Sequence, residues 1–138
     1  LIIFHAFMIF FYYKNLKQEK SSISQELFDF MFGDFENNLR EMGFGDIAVN
    51  KKMKVFITAF YGRIAQYSKG VDDYKDDGDK SLLQQTILNN IYKGDETFIY
   101  HINYFIDYMT KNIDHFIKND ESKNLENNFC FIDLKYGI

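Results

Sequence analysis

Apolar residues recur every three or four positions through most of this chain, and this period constrains the fold more than any other feature. The most regular example is a stripe formed by Phe98, Ile102, Phe105, Ile106, Met109, Ile113, Phe116 and Ile117. Such spacing places all of these side chains on one face of an α-helix. Strict two-residue alternation persists nowhere, and the chain has no proline to interrupt helices. The pattern therefore predicts an all-α fold, a single-domain bundle of about five helices.

Breaks in the period set the expected boundaries of these helices. The helices are predicted to cover residues 2–16, 22–42, 50–68, 79–92 and 95–118. The residues placed at helix starts are Ser22 or Ser24, Asn50, Asp79 and Asp95, and those placed at helix ends are Gly43 and Gly70. Residues 71–80 are then expected to form an acidic loop. We expect a helical domain over residues 1–118, lacking its N-terminal part, and a polar tail over residues 119–138.

The first helix is apolar on every side, in the run LIIFHAFMIFFYY from Leu1 to Tyr13. A run of this length is shorter than the roughly 20 residues that span a bilayer. It predicts a helix buried in the core. Two alternatives remain open from the sequence, a helix lying in the plane of a membrane surface and the end of a longer membrane span.

Charge and cysteine content exclude several classes of function. The formal net charge is −4, so the chain has no general basic character of the kind typical of DNA-binding domains. We therefore expect no DNA partner. The single cysteine, Cys130, cannot form an internal disulfide or a cysteine-based zinc site.

Catalytic and metal-binding patterns are also absent from the sequence. A di-iron bundle needs Glu-x-x-His pairs, but the residues three positions before the histidines are Ile2, Phe98 and Asn112. The glycines of MGFGD are not followed by the Gly-Lys-Ser or Gly-Lys-Thr of a phosphate-binding loop. The aspartates between residues 72 and 79 lack EF-hand spacing. We expect a protein without cofactor or metal that is not an enzyme.

Three lysines stand near the expected start of the third helix. Lys51, Lys52 and Lys54 would lie in its first turn, where the helix dipole disfavours positive charge. Arg63 would share a helix face with Lys52, and Gly62 indicates close helix approach or a contact surface. Two interpretations remain open, a solvated face paired with nearby acidic residues and a docking patch for an acidic partner, RNA or lipid head groups.

One long segment carries a resemblance to a known family. The stretch LREMGFGDIAVNKKMKVFITAFYGRIAQY, from Leu39 to Tyr67, resembles the signature of the ubiquinol–cytochrome c chaperone family. LFDFMFGDFENN, from Leu27 to Asn38, and FHAFMIF, from Phe4 to Phe10, are similar to further family patterns. The resemblance covers about Leu1 to Tyr92, and it departs at Asn50, where family members often have glycine.

The resemblance implies a non-enzymatic assembly chaperone for the bc1 complex. Its implied partners are cytochrome b or another bc1 subunit, the translating ribosome and a small partner assembly factor. The implied location is the bacterial cytoplasm near the inner membrane, with peripheral membrane contact, or the matrix side in mitochondria. The expected partner-binding residues are Arg40, Glu41, Phe44, Asp46, Ile47, Lys51, Lys52, Lys54, Tyr61 and Arg63. The alternatives are a peripheral membrane-associated interaction module and a hydrolase or metal-dependent enzyme.

Overall fold

The computed structural model describes residues 1–15, 22–121 and 130–133, and these residues form a bundle of α-helices without strands. The helices are α1 (Ile2–Asn15), α2 (Ser22–Glu41), α3 (Asp46–Asp77), α4 (Ser81–Tyr92) and α5 (Ile99–Glu121), and a 3₁₀ turn (Glu96–Phe98) precedes α5. The predicted all-α single-domain bundle is confirmed. The predicted end of the first helix at Leu16 lies outside the described residues.

Helix α1 lies at the centre of the bundle and contacts α2, α3 and α5. The main core joins α1 to the C-terminal half of α3, to α4 and to α5. Its fully buried side chains include Phe7, Met8, Ile106 and Phe116. The prediction of a buried core helix is confirmed. Most apolar side chains of α1 from Phe4 to Tyr13 face other helices, whereas Leu1 and Ile2 are exposed, and the alternative of a helix in the membrane plane stays a prediction.

A second, smaller core lies between α1, α2 and the N-terminal half of α3. Its buried members are Ala6, Met31, Phe32 and Phe60. The Phe60 ring makes edge contacts with Phe32, with centroids 5.2 Å apart, and with Phe10 at 5.5 Å. These aromatic contacts fix α2 and the beginning of α3 against α1.

Helix α3 differs most from its sequence prediction. It begins at Asp46 and not at Asn50, directly after Gly45, whose extended backbone precedes the first turn. It also continues through Gly70 to Asp77, so most of the expected acidic loop is helical. Gly70 packs directly against α4, because a Cβ at this position would lie only 2.9 Å from Leu83 Cγ. The glycine therefore allows α4 to approach α3 closely, and Gly78, at φ +73°, ends the helix.

The other predicted helix ends are mostly confirmed. Gly43 adopts a left-handed φ of +90° after α2. The predicted cap at Asp79 lies one residue before the N-cap of α4, which is Lys80, but the Asp79 carboxylate does accept a hydrogen bond from the backbone N–H of Ser81 at 2.9 Å. Asp95 accepts from Thr97 N–H at 3.0 Å, and the 3₁₀ turn then leads into α5. Ser22 is the first residue of α2 and Ser24 lies within its first turn, so the prediction that one of them precedes and caps the helix is wrong.

Candidate interaction surface

The connection between α2 and α3, residues 42–45, is held by backbone and side-chain contacts, and we call it the elbow. The Gly43 N–H donates to Arg40 O at 2.9 Å, and the Phe44 N–H donates to Leu39 O at 3.2 Å. This pair of bonds is the Schellman arrangement, which satisfies carbonyl groups at the end of α2. These two bonds therefore fix the direction in which the chain leaves α2.

Arg40 joins the two helices across the elbow. Its guanidinium donates to the Glu36 carboxylate at 2.8 Å within α2 and to the Asp46 carboxylate in the first turn of α3. These hydrogen bonds, first that to Asp46 and then that to Glu36, raise the pKa of Arg40. Because the groups are exposed, solvent screens the attraction, and the network fixes geometry more than it stabilises the fold.

Phe44 and Lys52 form a second contact across the elbow. The Lys52 Nζ lies 4.7 Å from the centroid of the half-buried Phe44 ring, within the range of a cation–π contact. Lys52 is itself half-buried. These two predicted site residues are therefore engaged with each other inside the protein.

The three lysines do not have the unfavourable interaction with the helix dipole that the sequence predicted. Because α3 begins at Asp46, Lys51 and Lys52 lie in its second turn and Lys54 in its third. The dipole effect falls off within the first turn, and the residue there is the acidic Asp46. The prediction of a misplaced positive charge is wrong, because it depended on a helix start at Asn50.

One side of α3 faces solvent from Ile47 to Tyr61. We call it the outer face of α3, and it consists of Ile47, Lys51, Lys54, Val55 and Tyr61. The three apolar side chains are 81%, 65% and 58% exposed, in chain order. Neither lysine forms an ion pair within residues 1–15, 22–121 and 130–133. The outer face therefore combines exposed apolar area with two available positive charges.

The opposite flank of α3 borders an apolar groove. Lys52 and Arg63 lie on this flank, about 16 Å apart along the helix axis. The groove has a volume of about 390 Å³. It is lined by Ile3, Phe32, Phe35, Phe56, Ala59, Phe60 and Arg63. Arg63 is thus at the edge of a groove and does not belong to the outer face.

The structure therefore divides the ten predicted site residues by position. Arg40, Asp46, Phe44 and Lys52 are joined in pairs at the elbow, whereas Ile47, Lys51, Lys54 and Tyr61 are exposed on the outer face of α3. Glu41 is exposed at the end of α2, and Arg63 borders the groove. Whether these residues bind a partner stays a prediction.

The sequence prediction omitted exposed apolar residues beside this surface. Val55 belongs to the outer face, Met42 at the elbow is 73% exposed, and Phe56 at the groove is 42% exposed. A signal for Val55 was present in the sequence. It stands opposite the apolar stripe that runs through Met53, Ile57 and Phe60, and an apolar residue at that position has no core to enter.

Among residues 1–15, 22–121 and 130–133, no three His, Cys, Asp or Glu side chains are grouped so that they could hold a metal ion. Within the same residues, no helix has both the length and the apolar character that crossing a membrane requires.

The fold and the surface define an all-helical protein that presents a basic, partly apolar helix face. The sequence model of the family described as Ubiquinol-cytochrome C chaperone matches residues 1–131. The chain therefore belongs to the ubiquinol–cytochrome c chaperone family. Family membership supports a general role in assembly of the bc1 complex. Comparison with curated proteins gave no match, and comparison with solved structures gave none either.

Proposed function

We propose that this chain is a non-enzymatic chaperone that binds cytochrome b during assembly of the bc1 complex. Family membership supports the assembly role. The observation that carries the binding role is the outer face of α3, where Ile47 and Val55 are largely exposed beside Lys51 and Lys54. The chemistry needed is reversible association, which requires a surface and no catalytic group.

The composition of the outer face suits a membrane-protein client. Ile47, Val55 and Tyr61 are exposed apolar side chains on a rigid helix, and they can cover apolar segments of cytochrome b before those segments enter the bilayer. Lys51 and Lys54 add positive charge that speeds encounter with acidic groups and weakens at high salt. The elbow contacts of Arg40 hold this face at a fixed angle to α2.

The same proposal covers where and with whom the protein works. The chain acts close to the inner membrane, on the cytoplasmic side in a bacterium or on the matrix side in a mitochondrion. The outer face would also bind two further partners, the translating ribosome and a small partner assembly factor. Peripheral membrane contact would also use Lys51 and Lys54, because lysines are attracted to anionic head groups.

A charge-reversal experiment tests the assignment. The variant K51E/K54E changes both lysines of the outer face and spares Lys52, which contacts Phe44. The matched control K111E/K118E makes the same change of charge at two exposed lysines of α5. Tagged full-length proteins are expressed in cells that make the bc1 complex, and co-purified cytochrome b is quantified by immunoblot.

We expect K51E/K54E to recover at least about tenfold less cytochrome b than wild type, while the control recovers the wild-type amount. Circular dichroism should show both variants to be as helical as wild type. Equal recovery by both variants would remove the outer face from the proposal. Flotation with anionic liposomes separates the membrane role, since binding to liposomes without cytochrome b recovery would favour a peripheral membrane module.

A further inference from the structure

A second apolar cleft adjoins the groove beside α3. It lies between the beginning of α1, α2, the middle of α3 and the end of α4, and its volume is about 430 Å³. The cleft shares Ile3, Phe35 and Arg63 with the groove. Small-molecule sites usually have volumes of about 300–1,000 Å³. Together, the cleft and the groove can therefore hold an elongated small ligand.

Arg63 lies where the cleft meets the groove. It is half-buried, and it is the only charged side chain among the described residues that line either depression. It forms no ion pair within the part of the chain that the structure describes. A guanidinium can donate two parallel hydrogen bonds to a carboxylate, and one arginine balances the single negative charge that a carboxylate carries. This position therefore favours a ligand with a carboxylate.

Tyr67 and Asn90 place further polar groups in the wall of the cleft. Burial raises the pKa of the Tyr67 hydroxyl, whereas the Asn90 amide and the positive charge of Arg63 lower it, so the three groups lie near one another. Among the described residues, Asn90 Nδ2 is buried and has no hydrogen bond of normal geometry. A buried donor without an acceptor costs free energy. Rotation of this amide toward the cleft would let it donate to a carboxylate held by Arg63.

The walls of the groove favour an alkyl chain over a peptide. Of the described residues that line the groove, only Arg63 has a polar side chain, and the others include Phe32, Phe56 and Phe60. A peptide main chain placed against these walls would lose its hydrogen bonds to water and gain few in return, which is costly. An alkyl chain has no polar group to satisfy, and each CH₂ group that it buries strengthens binding.

We infer that the cleft and the groove form a binding site for a fatty acid. Its carboxylate pairs with Arg63 where the two depressions meet, and its alkyl chain lies in the groove against Phe56 and Phe60. The site is on the flank of α3 opposite the outer face, so a bound fatty acid leaves Lys51 and Lys54 exposed. This inference is independent of the function proposed for the outer face.

A fluorescent fatty acid and the full chain test the site. The probe is dansylaminoundecanoic acid, whose emission rises when its dansyl group leaves water. We expect saturable binding to wild type and at least about tenfold weaker binding to R63Q, which removes the charge and keeps a polar side chain. The matched control K111Q removes one positive charge from an exposed position in α5 and should bind the probe like wild type. Equal binding by R63Q and wild type would overturn the inference.

A second measurement separates the head group from the alkyl chain without altering the protein. Dodecanoic acid should displace the probe at a concentration at least about tenfold lower than dodecanol, which has the same chain length and no charge. The variant A59F fills the groove from the exposed Ala59 and should weaken probe binding by at least about tenfold. Equal displacement by the acid and the alcohol would contradict the role of Arg63. Displacement by a peptide of alternating leucine and glutamate at the same concentration as dodecanoic acid would identify a protein ligand instead and overturn the inference.

Discussion

The contact between Gly70 and Leu83 predicts different effects on stability for two glycine-to-alanine substitutions in the same helix. At Gly62 an added Cβ would meet no atom within 4 Å, whereas at Gly70 it would lie 2.9 Å from Leu83 Cγ and Cδ2 and 3.2 Å from the Leu83 backbone nitrogen. Leu83 is fully buried, so its side chain has little room to move. Both positions are in α3, and both gain helix propensity on substitution.

The expected changes in the free energy of unfolding follow from helix propensity and from the steric contact with Leu83. Alanine in a helix interior is favoured over glycine by about 1 kcal/mol, so Gly62→Ala should stabilise the protein by up to that amount. Overpacking costs about 1–3 kcal/mol, so the free energy of unfolding of Gly70→Ala should be lower than that of Gly62→Ala by this amount. The two variants share the propensity gain, and their difference therefore isolates the steric contact.

This difference is measured by urea unfolding, with the helical circular dichroism signal as the readout. The background variant Leu83→Ala removes both side-chain atoms from the contact, and there Gly70→Ala should become much less unfavourable. The reasoning would be refuted if Gly62→Ala and Gly70→Ala changed the free energy of unfolding equally. It would also be refuted if Leu83→Ala left the effect of Gly70→Ala unchanged.

Three further predictions concern the elbow, the smaller core and the helix starts. Gly43→Ala forces alanine into the left-handed region, at φ +90°, and should destabilise the protein by about 1–2 kcal/mol in urea unfolding; no loss would contradict the elbow geometry. Phe60→Ala removes a ring that is 2% exposed and should cost about 3–5 kcal/mol, with exposed Phe30→Ala as its control; similar costs for both would argue against the smaller core. Hydrogen bonds from Ser81 and Thr97, first from their hydroxyls and then from their backbone N–H groups, lower the pKa of Asp79 and Asp95 below the usual value of 3.8. Their stabilising contribution is complete above that unfolded-state pKa and is lost as the pH falls through the lowered folded-state pKa. The melting temperature of D79N/D95N should therefore fall less than that of wild type between about pH 5 and about pH 2, and parallel curves would contradict this assignment.

The fold could be predicted from the sequence wherever one apolar stripe determined which face is buried. The stripe of α5 is the clearest case, because Ile102, Ile106, Met109 and Ile113 are all buried as their spacing predicts. The boundaries of α3 could not be predicted in the same way. Gly70 has the local character of a helix end, but in the structure it lies inside α3 and makes room for Leu83 of α4, a contact that no local pattern specifies.

The candidate surface could be predicted in part. The lysines and the family resemblance pointed to the beginning of α3, and this region does present an exposed basic face. The partners of Arg40 and Lys52 depended on the angle of the elbow, which no local pattern specifies. The docking of Ile132 on Asn112 joins residues 20 positions apart and has no periodic signal.

Site-specific photo-crosslinking tests the central claim, contact between cytochrome b and the outer face of α3, most directly. A benzophenone amino acid is placed at Val55, which is 65% exposed on the outer face, or at Tyr100, which is 88% exposed near the start of α5. Full-length variants are irradiated in cells that are making the bc1 complex, and adducts are identified by mass spectrometry. The account predicts cytochrome b adducts from position 55 and not from position 100. Adducts from position 100 alone would contradict it.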